Sequence, residues 1–436
     1  ARIAVNRTPA VFADAGGCLQ VGGLKVRLVP TDKFKSIHVQ VRFAAPFCPE
    51  TLNLRALLPY VLLAGTATIP TKRRINDRLD YLYGAQLGGD VAKSGMMNVV
   101  TLSITTVNEK YLPGVDQILA DALDLFSAIL FSPRLIRGAF RKGVVTEEIR
   151  LLKEDIEADY ADKGERSFRR MTEIMFSDEL AKYRAKGDYD TLAAVTPEAL
   201  MKAYRDMLAE DDVEMTVVGD FEPSAMLTLI RPRFVIASRP SRPEWLDRET
   251  KMIASPTLVV EREDVSQARF QRGYRTETRS DSPRYYAMLV FSALFGDADT
   301  SLLFQVVRER ERLCYYVYSS YAATKGVVFV AAGVDPGKEN AAGALIDAVL
   351  DDIVAGSFSD ADLQLAGSAV IKRMRQSTDT IRGLVTDYAF FDHVYERSFD
   401  LAFSIGAVEK VSRDLVIACA RDLVLDTTYV LTGGTD

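Results

Sequence analysis

The order of segments in the first half of the chain is written again in the second. LYGAQLGGDVAKSG (82–95) lies over LCYYVYSSYAATKG (313–326), and TTVNEKYLPGVDQILADALDLF (105–126) lies over VDPGKENAAGALIDAVLDDI (334–353). Each pairing reads as a strand, a turn carrying lysine, and an amphipathic helix. A repeat of about 230 residues is too long for a solenoid unit and indicates a duplicated domain. The chain must therefore build two similar cores and join them, and 436 residues suit two such cores. Two α+β halves facing each other leave a cavity between them, a usual place for a binding site.

Within the first half, LKVRLVP and SIHVQVRFAA alternate apolar and polar residues as half-buried strands do, and NVVTLSITTV and EMTVVGDF read as further strands. Residues 51–64 read as a helix, INDRLDYLYGA as a shorter one, and YLPGVDQILADALDLFSAIL as an amphipathic one. Residues 137–176 read as a long charged helical stretch, and Thr196-Pro197 opens another helix with an imperfect capping box. In the second half LVVEREDVSQARFQRGYRT is strand-like, SPRYYAMLVFSALFG and DTSLLFQVVRERER are helical, and YYVYSSYAATKGVVFVAAGVD is a strand pair turning at Lys325-Gly326. Between the halves, RPRFVIASRPSRPEWLDRETK holds three prolines and many charges, and reads as a linker crossing a surface. The expected division is 1–231, a linker over 232–251, and 252–436.

Composition excludes several functions. A net charge of −6 gives no electrostatic reason for nucleic acid or an anionic membrane as partner. No apolar run reaches the length of a membrane helix, and ARIAVNRTPAVFADAGG lacks a signal pattern, so the expectation is a cytoplasmic chain, with a periplasmic one left open. The four cysteines (Cys18, Cys48, Cys314, Cys419) are scattered, as free thiols in a reducing compartment are. The chain has two histidines, His38 on an alternating strand and His393 in the apolar stretch AFFDHVYE. Neither has a second ligand at metal spacing, so a histidine-rich metal site cannot be built and both read as structural imidazoles. No Gly-x-Ser-x-Gly elbow supports a serine nucleophile.

Residues 54–66, LRALLPYVLLAGT, pose a different problem: a helix-like run carries Pro59 and Tyr60 just ahead of a Gly-Thr turn. Together with INDRLDYLYGAQLGGDVAKSG, RKGVVTEEIRLLKEDI, VTPEALMKAYRDML, VVGDF and LLFQVVRERERLCYYVYSSY, this string resembles the pitrilysin/insulysin family of zinc peptidases, the inverted zincins. The likeness runs over nearly the whole chain and is to the bacterial, processing-peptidase-like branch, in a member without its own His-x-x-Glu-His motif. It implies an α+β fold of two homologous α/β-roll domains, each an antiparallel sheet packed against helices, arranged as a clam shell. The family motif puts two zinc-binding histidines on one helical face with a general-base glutamate between them. Aligned on Gly65-Thr66, its positions fall on Ala56, Pro59 and Tyr60. Ala56 cannot bind metal, Pro59 replaces the base, and Tyr60 stands at the second histidine. A proline within a helix removes a hydrogen bond and costs about 3 kcal/mol, so it is tolerable where the metal geometry has been released. The third-ligand position survives as Glu148 in VVTEEIR, although Glu147 and Glu148 read equally as a solvated or salt-bridged helix face.

The resemblance also assigns an arginine and a tyrosine, seven residues apart in the second half, that reach into the active site. RERERLCY supplies Arg308 and Tyr315, expected at the end of a helix and the start of a strand. An arginine offers a charged fork to a carbonyl or carboxylate, and a tyrosine hydroxyl can stabilise an oxyanion. The reading from residues alone is plainer: a solvated charged face and strand tyrosines. The resemblance thus implies a subunit that binds no metal, is inactive alone, and pairs with a homologous chain carrying zinc on an intact motif. Arg308 and Tyr315 would act in trans on extended peptide substrates, and self-dimers remain open. The alternative is a non-catalytic scaffold or assembly subunit of the same fold.

Overall fold

The computed structural model describes residues 18–237 and 244–433. The first half contributes strands β1 (Leu19–Val21), β2 (Leu24–Pro30), β3 (Ser36–Pro46), β4 (Gln86–Ser94), β5 (Met97–Val107), the short hairpin β6 (Leu135–Ile136) and β7 (Ala139–Phe140), and β8 (Asp212–Gly219). Its helices are α1 (Leu52–Leu62), α2 (Lys72–Tyr81), α3 (Ile118–Phe131), α4 (Lys142–Ala161), α5 (Lys163–Met175), α6 (Pro197–Glu210) and α7 (Pro223–Ile230). The second half contributes β9 (Thr257–Glu263), β10 (Ala268–Arg275), β11 (Cys314–Ala322), β12 (Val327–Val334) and β13 (Val424–Gly433). Its helices are α8 (Tyr285–Ser292), α9 (Glu339–Val354), α10 (Asp360–Ser377), α11 (Ile381–Tyr395), α12 (Leu401–Glu409) and α13 (Arg413–Arg421).

The duplication read from the sequence is present in the strand order. The first sheet runs β1-β2-β8-β3-β5-β4 and the second β11-β12-β10-β13-β9. Apart from β1, the second reversed matches the first position for position. In both, the outer pair is parallel (β2 with β8, β9 with β13) and the others are antiparallel. β4 and β11, the strands overlaid in sequence, are equivalent edge strands. The fold is the expected α+β pair of antiparallel-rich sheets with helices.

Alternation dictates the packing. In β3, SIHVQVRFAAP, Ile37, Val39, Val41 and Phe43 are buried, and they join Leu57, Leu58 and Val61 of α1 and Leu123 and Phe126 of α3 in the first core. The second core is built the same way from Phe270, Val328 and Val330 against Phe291, Ile346 and Val349. Each sheet takes a further helix from the opposite half. Met171 and Met175 of α5, with Phe176, pack on Val327, Tyr429 and Leu431 of the second sheet. Reciprocally, Leu384 and Val385 of α11 pack on Val29 and Val218 of the first. The charged stretch 137–176 is therefore not one helix. Asp162 caps a new one, its Oδ1 accepting from the N–H groups of Gly164 and Glu165 at 2.7 and 3.0 Å, and α5 leaves for the other half.

The connection read as a surface linker is not one on either side of residues 238–243, which lie outside the described residues, as does the N-terminal stretch 1–17. Phe234 and Ile236 belong to the first core. Trp245, Leu246 and Asp247 are buried, and the segment is clasped between the halves by Met96 N–H donating to Trp245 O at 3.0 Å and Asp247 N–H donating to Thr324 O at 3.2 Å. The prolines and charges suggested solvent, but the apolar Trp245-Leu246 pair fills the seam instead.

Candidate functional site

Helix α1 carries the three motif positions. It continues through Pro59, which accepts from Leu63 N–H at 3.1 Å. The ring is accommodated by β4, where Gly89 leaves space: a Cβ there would lie 3.2 Å from Pro59 Cβ. Ala56 is fully buried. Over it lies Gly187, at φ +99°, where a Cβ would stand 3.5 Å from Ala56 Cβ. The segment around Gly187 is tied to the same helix by Asn53, whose Oδ1 accepts from Asp188 N–H at 2.7 Å and whose Nδ2 donates to Thr191 Oγ1 at 2.9 Å. The face that would present a histidine is thus covered.

Glu148 on α4 is 4 % exposed, and its Oε1 is ion-paired with the ammonium of Lys72 at the start of α2. Glu147, its neighbour, is exposed and pairs with Arg150 at 2.7 Å. The salt-bridged reading therefore describes both. Tyr60 is half-buried nearby: burial, with the carboxylates of Asp90, Asp155 and Glu148, pushes its phenol above the ordinary range against Lys186. Lys186 itself pairs with Asp155 and Asp159 of α4, both at 2.8 Å. Lys72 and Lys186 thus hold Glu148, Asp155 and Asp159 in ion pairs. A zinc site with three or four protein ligands does not fit here: Ala56 and Pro59 offer no ligand atom, and the remaining carboxylate is held by an ammonium.

Arg308 and Tyr315 lie where the sequence places them. Arg308 is near the end of a helical turn, Phe304–Arg310, widened to i→i+5 bonding, and Tyr315 is the second residue of β11. Glu311 N–H donates to Val306 O at 3.0 Å, the bond that marks the widening, a feature frequent at functional sites. Arg308 is exposed and stacks over Phe304 at 5.0 Å; among the described residues it has no salt-bridge partner. Tyr315 is 56 % exposed, and its hydroxyl donates to Asp335 Oδ1 at 2.5 Å, which raises its pKa. Among the described residues, no hydrogen bond, ion pair or ring contact joins these two to each other or to Ala56, Pro59, Tyr60 or Glu148.

The seam holds a second polar centre that the sequence did not reveal. Glu214 of β8, with Asp392 and His393 of α11, forms the set of potential ligand atoms within 4.8 Å of one another among the described residues. Cations already fill it. Asp392 Oδ2 pairs with Arg27 at 2.6 Å and Lys25 at 2.8 Å, and His393 Nε2 meets Glu214 Oε1 at 2.7 Å. Burial opposes ionisation of Glu214, but His393, Arg27 and Arg42 outweigh it and hold the carboxyl well below the glutamate range. The arrangement is an ion-pair seam between halves, and it gives His393 the structural role expected of it.

Comparison with known proteins places these features. Residues 194–369 match the family model described as Peptidase M16 inactive domain. The chain is 30% identical over 412 residues to the "Probable inactive metalloprotease YmfF" of Bacillus subtilis, covering 94% of this chain and 96% of that protein. A conserved protein from Enterococcus faecalis superposes with a TM-score of 0.89 at 26% identity, over 96% of this chain and 99% of that one. A protease from Helicobacter pylori shares the fold with a TM-score of 0.78 at 16% identity, over 95% and 98%.

Proposed function

We infer the role of this chain from one premise: it belongs to the peptidase M16 (pitrilysin) family, as a member whose own metal motif is lost. The proposed function is that of a non-catalytic-metal subunit in a two-chain zinc peptidase. The partner, a homologous chain with an intact His-x-x-Glu-His motif, brings the zinc, and this chain supplies Arg308 and Tyr315. The observation that carries the reading is the contrast between the two sites. At the motif positions Gly187 covers Ala56, and Lys72 and Lys186 hold Glu148, Asp155 and Asp159 in ion pairs. Arg308, by contrast, is exposed without a salt-bridge partner among the described residues, on a widened helical turn.

In that role Arg308 offers its guanidinium fork to a peptide carbonyl or carboxylate. Tyr315 leaves Asp335 and donates its hydroxyl to the oxyanion that develops when water attacks the scissile carbonyl. Substrates are extended peptides, held as an added strand by main-chain hydrogen bonds. The test is peptide cleavage by this chain, by the motif-bearing partner, and by the mixture. Only the mixture should cleave, and Arg308→Ala or Tyr315→Phe should each lower its rate by about a hundredfold. A partner equally active alone, or a mixture indifferent to both substitutions, refutes the reading and leaves a scaffold subunit.

A further inference from the structure

The two halves differ in how they finish the face of the sheet that carries the helices. On β2, Leu24, Val26 and Leu28 are at most 2 % exposed. They share the first core with Met226, Leu227 and Ile230 of α7 and with Phe234 and Ile236 of the segment behind it. The counterpart of β2 is β9, which pairs parallel with β13 as β2 does with β8. On the same face of β9, Leu258 and Val260 are 67 % and 48 % exposed. They stand opposite Thr428 and Val430, and Val430 belongs to the second core. Among the described residues, the second half has no counterpart of α7 to cover them.

What lies there is a groove of about 820 Å³, walled by Leu258 and Val260 of β9, Val430 of β13, Phe270 of β10 and Ala344 of α9. Charged groups beside it are occupied: Arg272 pairs with Asp347, and Glu339 accepts from the Thr432 hydroxyl. Large apolar side chains left open side by side mark an interaction surface. The first half also shows the polar end of the match. Overlaying α3 on α9 brings Leu119, Ala122 and Phe126 onto Ile346, Val349 and Ile353, all buried, and Asp124 onto Asp351. Asp124 holds Arg233, three residues past the end of α7, at 2.7 Å. Asp351 is exposed and, among the described residues, has no ion-pair partner.

We propose that this groove docks an amphipathic helix of a partner protein, which does for the second half what α7 does for the first. The apolar face of that helix covers Leu258 and Val260, and a basic residue just beyond its C-terminal end pairs with Asp351. This is helix-in-groove recognition, with apolar anchors about one turn apart. β9 and β11 are opposite edges of the second sheet, so docking here is independent of the role proposed for Arg308 and Tyr315.

The α7 segment itself supplies the probe, because its own place in the first half is already filled. A labelled peptide of residues 222–237, stapled between the exposed positions Ser224 and Thr228, is titrated into the full chain and followed by fluorescence anisotropy. Binding should saturate. Leu258→Glu and Val260→Glu should each weaken it at least about tenfold. Both positions are exposed, so neither change disturbs the core. Asp351→Lys should weaken it about threefold. An unstapled peptide with Thr228→Pro keeps every apolar side chain but cannot hold the helix, and it should not bind. The proposal is overturned by absent or unsaturable binding, by affinity unchanged in the variants, or by equal binding of the proline peptide, which would make the ligand an extended strand. Sedimentation of the chain alone adds a further check: self-association abolished by Leu258→Glu would assign the groove to a second copy and overturn the proposal as well.

Discussion

Replacing Lys72 by methionine tests whether an ammonium has taken over the charge-balancing work of a metal. Glu148 has a side chain 5 % exposed, and Lys72 one 48 % exposed. Breaking a fully buried pair costs about 3–5 kcal/mol, because the remaining charge is left without compensation. Here one partner is half in water, which screens the pair and lets solvent reach the carboxylate, so about 1–3 kcal/mol is the expected loss. At about 2–4 °C per kcal/mol for domains of this size, the melting temperature should fall by about 2–12 °C. Thermal unfolding of Lys72→Met, Glu148→Gln and the double variant forms a closed cycle. The double variant should be more stable than Lys72→Met alone, since removing the buried charge removes the cost of leaving it unpaired. A Lys72→Met protein that melts with the parent, or a double variant no better than it, refutes the reasoning.

Other outcomes follow from the seam and the thiols. Glu214 ionises below the unfolded glutamate value, so its contribution to stability is present above about pH 4.5 and is lost as pH falls through the lower folded value. Urea unfolding of the parent should therefore weaken in acid below about pH 4.5, and Glu214→Gln should be less stable at pH 7 with part of that acid dependence gone. Burial pushes the Cys18, Cys314 and Cys419 thiols up to about 11. Iodoacetamide at pH 8 should accordingly label the half-buried Cys48 first, read by peptide mass mapping of the native protein.

The duplication was legible because it is a pattern of order: strand, lysine-bearing turn and helix recur, and the two sheets share one strand order. Local chemistry was legible too. Thr196 caps α6 by accepting from Ala199 N–H at 3.2 Å, as Thr-Pro-Glu suggests. What sequence could not show is which distant element each helix covers. Residues 137–176 have one helical composition, yet α4 stays with the first half and α5 crosses to the second. The break rests on one capping aspartate, and the crossing on apolar residues whose target lies far along the chain. Trp245 was hidden for the opposite reason, an apolar pair set among prolines and charges. Lys72 left a faint signal: α2 opens with Lys72, Arg73 and Arg74, where the helix dipole disfavours cations. Three cations at that end ask for a tertiary partner, and one of them finds Glu148.

The same contacts argue that the lost motif cannot return by restoring its three residues. A histidine at position 56 would project where Gly187 crosses α1, in a place sized for the alanine methyl. Overpacking of this kind costs about 1–3 kcal/mol. Even with both histidines and the glutamate back, the third carboxylate remains paired with Lys72, and Lys186 stays bound to Asp155 and Asp159 a short way along α4. A divalent cation would have to enter beside two ammonium groups. The triple variant Ala56→His, Pro59→Glu, Tyr60→His should therefore melt lower than the parent and bind zinc weakly by calorimetry. Adding Lys72→Met should strengthen that binding, because it releases Glu148 and removes a positive charge. Tight zinc binding by the triple variant alone would mean that the lysine pairs yield freely, and that loss of the motif was a matter of three side chains rather than of a rebuilt cleft.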